Sequence, residues 1–238
     1  MTPPLNLYGD QMVPTSGRHG GDIASQRIDA LDRACLEFCL SLGGDVGAVD
    51  IGCGLGAQGF RLAALGAAVT LCEPVDISAR VAQFNELFPA NPVRYLCCDA
   101  RQLSAGNFEA PLHIVYSQRA IHYLRFDEAR ALLATLRDVC RPGARFFISA
   151  SGVDSELGEG YAGASVDVEE RMTPLALDMA AKHGVHDEIC LYSKDDLARL
   201  GEAAGLEVFS VTVSDFGNKK AIFGLKDGSK VPYHQSSS

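Results

Sequence analysis

The feature that most constrains the fold of this chain is a short apolar segment that runs into a glycine-rich turn and then into a helical pattern. Residues 46–51 have the apolar character of a buried strand, residues 52–56 carry glycine at alternate positions, and residues 57–66 have helical spacing. Glycine at such a turn lets the backbone bend tightly and approach a ligand without a Cβ in the way. The start of the following helix offers unpaired N–H groups. The sequence therefore predicts a ligand at the junction of this strand and this helix.

Extended and helical patterns alternate along the rest of the chain. Further strands are predicted over residues 68–72, 93–97, 112–116, 144–150, 206–213 and 221–225, and further helices over residues 22–42, 77–88, 127–140 and 193–204. The strands are near-continuous apolar runs, which is typical of strands buried on both faces. The last two strands have no helix between them, so we expect an antiparallel hairpin. The predicted fold class is α/β, a doubly wound, seven-stranded, mostly parallel sheet with a C-terminal antiparallel hairpin.

The length of 238 residues favours one domain, which we place at residues 1–226. Residues 1–21 are rich in proline and glycine and are expected to form an irregular arm, and the polar residues 227–238 a mobile tail. Residues 152–192 carry nine acidic side chains and break the alternation of strands and helices. We expect them to form an insertion or lid without a separate core, with a helix around residues 169–183.

Composition excludes several classes of protein. An apolar content of 47% with 21% charged residues is typical of a globular chain. The net charge of −9 argues against nucleic acid or an anionic membrane as the main partner. No apolar run approaches the roughly 18 residues of a membrane span, and the first residues do not resemble a signal peptide. The eight cysteines lie mostly in apolar patterns, so we expect reduced core residues, Cys97 and Cys98 included, in a cytoplasmic protein.

Two classes of cofactor use a glycine turn of this kind. Residues 54–59 match the dinucleotide fingerprint G-x-G-x-x-G, and Glu73 lies where its ribose-binding acid belongs. However, Asp50 precedes the turn and would repel a pyrophosphate. A like-charge contact at about 4 Å costs about 4 kcal/mol at an effective dielectric constant near 20, which is about a thousandfold in affinity. S-adenosylmethionine brings a sulfonium and an ammonium to the same region, so the charges favour it over a nicotinamide dinucleotide.

Acids stand at the ends of three consecutive predicted strands, as Asp50, Glu73 and Asp99. Together with the turn, and with an aromatic-Ser, helix, Ala-Gly-Leu, strand, strand ending over residues 192–225, this pattern resembles the class I S-adenosylmethionine-dependent methyltransferases. The resemblance extends over about residues 22–226. It implies that S-adenosylmethionine is the cofactor.

The resemblance also implies roles for single residues. The turn would be organised by Asp50, which approaches the methionine moiety, while Glu73 takes the ribose hydroxyls and Asp99 reaches the adenine amino group. The other implied cofactor-binding residues are Gly52, Cys53 and Gly54 along the turn, Pro74 or Val75 against the adenine, Ala100 with its N–H near the adenine, and Ser117 facing the methionine end.

The acceptor side is less regular. His122 and Tyr123 agree with a His-aromatic pair that the family often has after its fourth strand. We predict His122 as the catalytic base, because an unperturbed imidazole suits proton removal at neutral pH. The alternative is a packed, hydrogen-bonded histidine. Candidate substrate-binding residues are Tyr8, Arg119 and Tyr161, and Arg119 meets either an anionic substrate group or a surface acid. No metal is expected.

The expected function is methyl transfer to an oxygen or nitrogen atom of a small molecule. Nothing in the sequence resembles an appended nucleic-acid or peptide-binding module, and residues 117–120 lack the Asn/Asp-Pro-Pro-aromatic motif of base amino-methylation. Two alternatives remain open, namely an NAD(P)-dependent oxidoreductase and a non-catalytic protein that binds S-adenosylmethionine. The sequence predicts no oligomeric state.

Overall fold

The computed structural model describes residues 28–226, which are built around one seven-stranded sheet. The strands are β1 (Gly47–Ile51), β2 (Ala68–Cys72), β3 (Arg94–Leu96), β4 (Leu112–Gln118), β5 (Cys140–Ala150), β6 (Leu206–Val213) and β7 (Lys219–Leu225). They lie side by side in the order β3-β2-β1-β4-β5-β7-β6. The first five are parallel, and β7 is antiparallel to both β5 and β6. The predicted fold class is therefore confirmed.

Helices cover both faces of the sheet. They are α1 (Ala30–Leu42), α2 (Ala57–Ala64), α3 (Ser78–Leu87), α4 (Phe126–Asp138), α5 (Leu177–His183) and α6 (Lys194–Ala203). One apolar core lies between the sheet and α1, α2 and α3, and a second lies between the sheet and α4 and α6. Central strands such as β1 are buried almost throughout, as their apolar runs predicted.

Helix α1 begins later than predicted. Asp29 caps it, with its Oδ1 accepting from the N–H of Leu31 at 2.7 Å and of Asp32 at 3.1 Å. In return, the carboxylate of Asp32 accepts from the N–H of Asp29 at 2.7 Å. Because of this reciprocal capping box the helix begins at Ala30, and residues 28 and 29 of the predicted helix are not helical. The expected arm, the expected tail and Tyr8 lie outside the described residues.

Strand β5 is longer than predicted because it includes an Arg-Pro-Gly segment whose sequence is typical of a turn. Its first residue, Cys140, pairs with Leu112 of β4, whereas Arg145 pairs with Ile114. The strand therefore accommodates extra residues in a β-bulge, which bends it without ending the ladder.

The insertion over residues 152–192 has a small core of its own, contrary to expectation. Its buried apolar residues are Tyr161, Leu175, Met179, Val185, Ile189 and Leu191. The predicted helix around residues 169–183 is wrong in its first half, since only Leu177–His183 is helical. Arg171, only 7% exposed, joins the insertion to α6 by a 2.5 Å ion pair with Asp196.

The structure can be compared with two further expectations, that the cysteines are reduced core residues and that the chain has no membrane-spanning segment. All eight cysteines are free, and five of them are buried. Cys97 is exposed, so its assignment to the core was wrong. In the part of the chain from residue 28 to residue 226, none of the helices has the length and apolar character that crossing a membrane requires.

Candidate functional site

A cavity of about 430 Å³ opens at the carboxyl ends of β1, β2 and β4. Its volume falls within the roughly 300–1,000 Å³ of small-ligand sites. The order of the strands reverses here. Strands β2 and β3 follow on one side of β1, and the chain then crosses back to place β4 on the other side of β1. Ligands of open α/β sheets bind at such a reversal.

The glycine turn forms one wall of the cavity. Gly52, Gly54 and Gly56 all have left-handed backbone conformations, with φ of 60°, 54° and 81°. The N–H groups of Gly52 and Cys53 both donate to the carbonyl of Cys72, at 2.8 and 3.2 Å. A side chain at Gly52 could not be accommodated, because its Cβ would lie 2.2 Å from the Cβ of Ala120.

Asp50 organises this turn. Its carboxylate is 2% exposed, and its Oδ2 accepts from the N–H of Gly59 in the first turn of α2 at 2.9 Å. A carboxylate at that position also interacts favourably with the positive end of the helix dipole. Asp50 therefore fixes the end of β1 to the start of α2 while contacting the cavity.

Glu73 extends from the end of β2 back over the same turn. Its Oε2 accepts from the N–H of Gly54 at 2.9 Å, and its Oε1 accepts from the N–H of Val75 at 3.3 Å. Pro74, next in sequence, lies on the same wall of the cavity. The two acids from β1 and β2 are thus brought together, as the sequence predicted.

Asp99 also contacts the cavity, but its carboxylate is engaged by Arg101. The guanidinium donates to Oδ1 from Nε at 2.9 Å and to Oδ2 from Nη2 at 2.5 Å. The bond to Asp99 raises the pKa of Arg101 above its usual range. Ala100 contributes its backbone between them. A ligand amino group at Asp99 would therefore share the carboxylate with Arg101.

The sequence did not single out one further acid that lines the cavity, in helix α1. Asp32 of α1 is 1% exposed, and its carboxylate accepts from the hydroxyl of Tyr116. Burial raises the pKa of Asp32, and the bond from Tyr116 counteracts part of that rise. Gln58 donates to the carbonyl of Asp32 at 3.1 Å. The available signal was an acid three residues before Cys35, inside the apolar stripe of the helix.

His122 lies at the cavity edge in a packed, hydrogen-bonded state. It is 2% exposed, and its Nδ1 accepts from the N–H of Ser151 at 3.3 Å. Its ring lies against that of Tyr123, with 4.4 Å between centroids. A neutral imidazole that accepts at Nδ1 carries its proton on Nε2. This geometry favours hydrogen-bond donation by His122 over the predicted role as a base.

Arg119 also contacts the cavity and has an unusual backbone. Its φ is 53°, a left-handed conformation that is uncommon for a residue with a side chain. Its N–H holds this geometry by donating to the carbonyl of Ser149 at 3.0 Å and to its Oγ at 3.1 Å. Among residues 28–226, the guanidinium has no hydrogen bond or ion pair.

Two predicted site residues do not reach the cavity. Ser117 is 1% exposed, and its hydroxyl donates to the carbonyl of Ile51 at 3.0 Å, so it supports the end of β1 from behind. Tyr161 is buried in the core of the insertion, with its hydroxyl 2.6 Å from the carbonyl of Arg171 and 2.5 Å from that of Ile189. The hydroxyls of Ser117 and Tyr161 are therefore both hydrogen-bonded to backbone carbonyls.

The insertion closes the cavity from the side of β4. It contributes Leu157, His183 and Val185, none of which the sequence predicted as a site residue. No cluster of three or more metal-ligating side chains occurs between residues 28 and 226. The insertion reaches the strand ends through tertiary packing, so a local sequence pattern cannot predict which of its residues line the cavity.

Comparisons with known proteins agree with this architecture. Residues 48–143 match the family model described as a methyltransferase domain. No curated protein matches the chain in sequence.

Solved structures similar to the chain include three methyltransferases. The 1,6-didemethyltoxoflavin N1-methyltransferase of Burkholderia thailandensis, with 1,6-didemethyltoxoflavin and S-adenosylhomocysteine bound, is 18% identical over 87% of this chain and 83% of that chain, with a TM-score of 0.64. The magnesium protoporphyrin IX methyltransferase of Synechocystis PCC 6803, with S-adenosylmethionine bound, is 14% identical over 92% and 88%, with a TM-score of 0.57. The N-methyltransferase NodS of Bradyrhizobium japonicum WM9 is 15% identical over 82% and 86%, with a TM-score of 0.55. At these identities the similarity shows the fold.

Proposed function

Because the chain carries a methyltransferase domain in the fold of the class I S-adenosylmethionine-dependent methyltransferases, we propose that it methylates an oxygen or nitrogen atom of a small molecule bound in the cavity. S-adenosylmethionine, when bound, supplies a methyl group already activated by its sulfonium. The chain itself has to orient the acceptor and exclude water.

The observation that carries this proposal is the charge of the cavity. Five acidic side chains line it against three arginines, and Asp99 is already paired with Arg101. The acids are Asp32, Asp50, Glu73, Asp76 and Asp99. The two most buried, Asp32 and Asp50, stand on the wall formed by α1 and the glycine turn. A ligand with a sulfonium and an ammonium fits this donor set, whereas a pyrophosphate would meet buried carboxylates.

We assign the cofactor-binding residues accordingly. Asp50, Gly52, Cys53 and Gly54 would hold the methionine end, Glu73 the ribose, and Pro74, Asp99 and Ala100 the adenine. Ser117 would act indirectly, through the carbonyl of Ile51. His122 would donate a hydrogen bond, and Arg119 would meet an anionic group of the acceptor.

The topology argues against the dinucleotide alternative. The classic dinucleotide-binding sheet has the strand order 3-2-1-4-5-6. Here an antiparallel β7 lies between β5 and β6. The G-x-G-x-x-G match at residues 54–59 therefore stands in a sheet with a different C-terminal half.

Ligand binding and turnover test the proposal together. At a concentration of 100 Kd, S-adenosylmethionine should stabilise the protein by about 2.7 kcal/mol, a rise in Tm of roughly 5–10 °C for a chain of this size, and NADH should not. Glu73→Gln and Asp50→Asn should abolish most of that rise in Tm. Glu86→Ala, at an exposed position of α3, should leave the rise unchanged. A rise with NADH alone would overturn the proposal. Binding without methylation of any compound in a labelled-donor screen would favour the non-catalytic alternative.

A further inference from the structure

The insertion brings two titratable side chains together beside the acceptor end of the cavity. His183 is the last residue of α5, and its Nε2 lies 3.7 Å from Oε2 of Glu156. The side chains are 12% and 9% exposed. His183 lines the cavity, whereas Glu156 is not one of the lining residues.

The two nitrogens of the His183 ring have different surroundings. Nε2 is shut off from solvent, and no hydrogen-bond partner for it occurs among residues 28–226. Oε2 of Glu156 stands just beyond hydrogen-bond length, and Lys182 forms an ion pair with the other carboxylate oxygen, Oε1. A small movement of the ring would let Nε2–H donate to Glu156. Nδ1 then remains for a molecule in the cavity.

We propose, on the premise that the protein is the methyltransferase described above, that His183 is the catalytic base of the acceptor site and Glu156 its positioning residue. The acceptor oxygen or nitrogen attacks the methyl carbon, a new bond to that carbon forms, and the bond from carbon to sulfur breaks with its electron pair left on sulfur. The proton of the acceptor passes to Nδ1 of His183. The resulting imidazolium is stabilised by the hydrogen bond from Nε2–H to Glu156. The methyl donor, S-adenosylmethionine, leaves as the neutral thioether S-adenosylhomocysteine, so the reaction needs no further reactant.

The environment of His183 suits a base better than that of His122. Nδ1 of His122 already accepts from a backbone N–H, so protonation there would break that bond. Burial lowers the pKa of His183, Glu156 raises it, and Lys182 and Arg119 lower it further. The net shift is downward, which keeps the ring neutral and able to accept a proton at physiological pH.

The same wall indicates the class of acceptor. Arg119 contacts the cavity with a guanidinium that has no partner in the described part of the chain. Around it, Tyr123, Leu157 and Val185 contribute apolar surface. A small acceptor with an O–H or N–H group, an apolar body and a separate anionic group such as a carboxylate would fit this end.

The first test needs no acceptor. In ¹⁵N spectra of the histidine rings, His183 of the wild-type protein should carry its proton on Nε2, and Glu156→Gln should lower the pKa of His183. His186, exposed in the same insertion, is the control, and its ring signals should be the same in both proteins. A proton on Nδ1 of His183, or a His183 pKa unchanged in Glu156→Gln, would overturn the dyad whether or not the protein is a methyltransferase.

The second test uses 2-, 3- and 4-hydroxybenzoate, the corresponding uncharged phenols, and any acceptor found with labelled S-adenosylmethionine. His183→Gln should lower kcat by about 10²–10⁴-fold with the Kd of S-adenosylmethionine unchanged, and His186→Gln should keep kcat. Arg119→Gln should abolish any preference for the carboxylates over the phenols. Full activity in His183→Gln would refute the base while the proposed function stands. If the wild-type protein did not bind S-adenosylmethionine, the proposed function itself would be refuted.

Discussion

The hydroxyl of Tyr116 in β4 donates to the buried carboxylate of Asp32 in α1, so an ionisable pair joins the sheet to the first helix beneath the cavity. Burial raises the pKa of both groups, and the negative charge of Asp32 adds to the rise at Tyr116. A hydrogen bond to a carboxylate in such a place is among the stronger ones in a protein.

Tyr116→Phe should therefore destabilise the protein by about 1.5–3 kcal/mol in urea denaturation, because Asp32 loses a donor while staying buried. Tyr192→Phe is the matched control. The hydroxyl of Tyr192 is buried without a hydrogen bond in the described residues, so its removal should be neutral or stabilising. Equal losses in the two variants would show that the contact between Tyr116 and Asp32 contributes no specific stability.

The ion pair between Asp29 and Lys220 should make stability depend on pH. Burial raises the pKa of Asp29, but the hydrogen bond and charge of Lys220, 2.7 Å away, and two backbone N–H groups lower it by more, so the net shift is downward. The stabilisation is therefore fully present above the ordinary aspartate pKa near 4 and is lost as the pH falls through the lower folded-state value.

Asp29→Asn keeps an oxygen that can cap α1 but removes the charge. We expect a loss of about 1 kcal/mol in the free energy of unfolding at pH 7, and a smaller loss at pH 3, where the wild-type carboxylate is itself being protonated. Denaturation with urea at both pH values measures this difference. A loss that stays constant between them would assign the effect to the cap instead of the charge.

Individual residues show which parts of the candidate site can be predicted from the sequence. Asp50 and Glu73 were predicted together because each directly ends an apolar strand, and parallel strands bring such ends to one edge. The link between Asp32 and Tyr116 spans 84 positions, so no local pattern contains it. The role of His122 as a base stays a prediction, and the sequence could not show its hydrogen bond from Ser151, whose N–H reaches the ring because β5 lies beside β4.

The errors in element bounds have a similar origin. The Arg-Pro-Gly segment before residue 144 is typical of a turn, yet it continues β5 because Cys140 pairs with Leu112 across a bulge. Cys97 follows an apolar strand pattern but comes one residue after β3 ends, where it is exposed. Local propensity yields the type of an element, whereas pairing with distant residues determines its ends.

Gly52→Ala should lower both stability and affinity for S-adenosylmethionine. The new Cβ would lie 2.2 Å from that of Ala120, and the left-handed φ of 60° adds strain of about 1–2 kcal/mol. Gly66→Ala is the control, because its φ of 96° brings strain but its Cβ would meet nothing within 4 Å. Calorimetric titration should find a Kd at least tenfold weaker for Gly52→Ala alone. Similar affinities in both variants would remove the turn from the cofactor site.

Arg171 should determine whether the insertion stays in place over the cavity. Its guanidinium donates to the carbonyl of Leu191 at 2.8 Å and pairs with Asp196, so Arg171→Met leaves a partly buried carboxylate and a buried carbonyl without their donor. We expect a loss of about 3–5 kcal/mol in the free energy of unfolding. Arg199→Met removes a guanidinium from exposed ion pairs with Asp167 and Glu169, and it should cost much less stability than Arg171→Met.

Limited proteolysis should separate the local effect of Arg171→Met from the global one. Cleavage within residues 152–192 should accelerate in this variant before the sheet unfolds, because the arginine joins the insertion to the start of α6. His183 belongs to that segment, so the acceptor site should be lost while the walls formed by β1 and β2 still bind S-adenosylmethionine. If cofactor affinity fell in parallel with insertion cleavage, the two halves of the cavity would be a single cooperative unit, and the separation of cofactor and acceptor sites would be wrong.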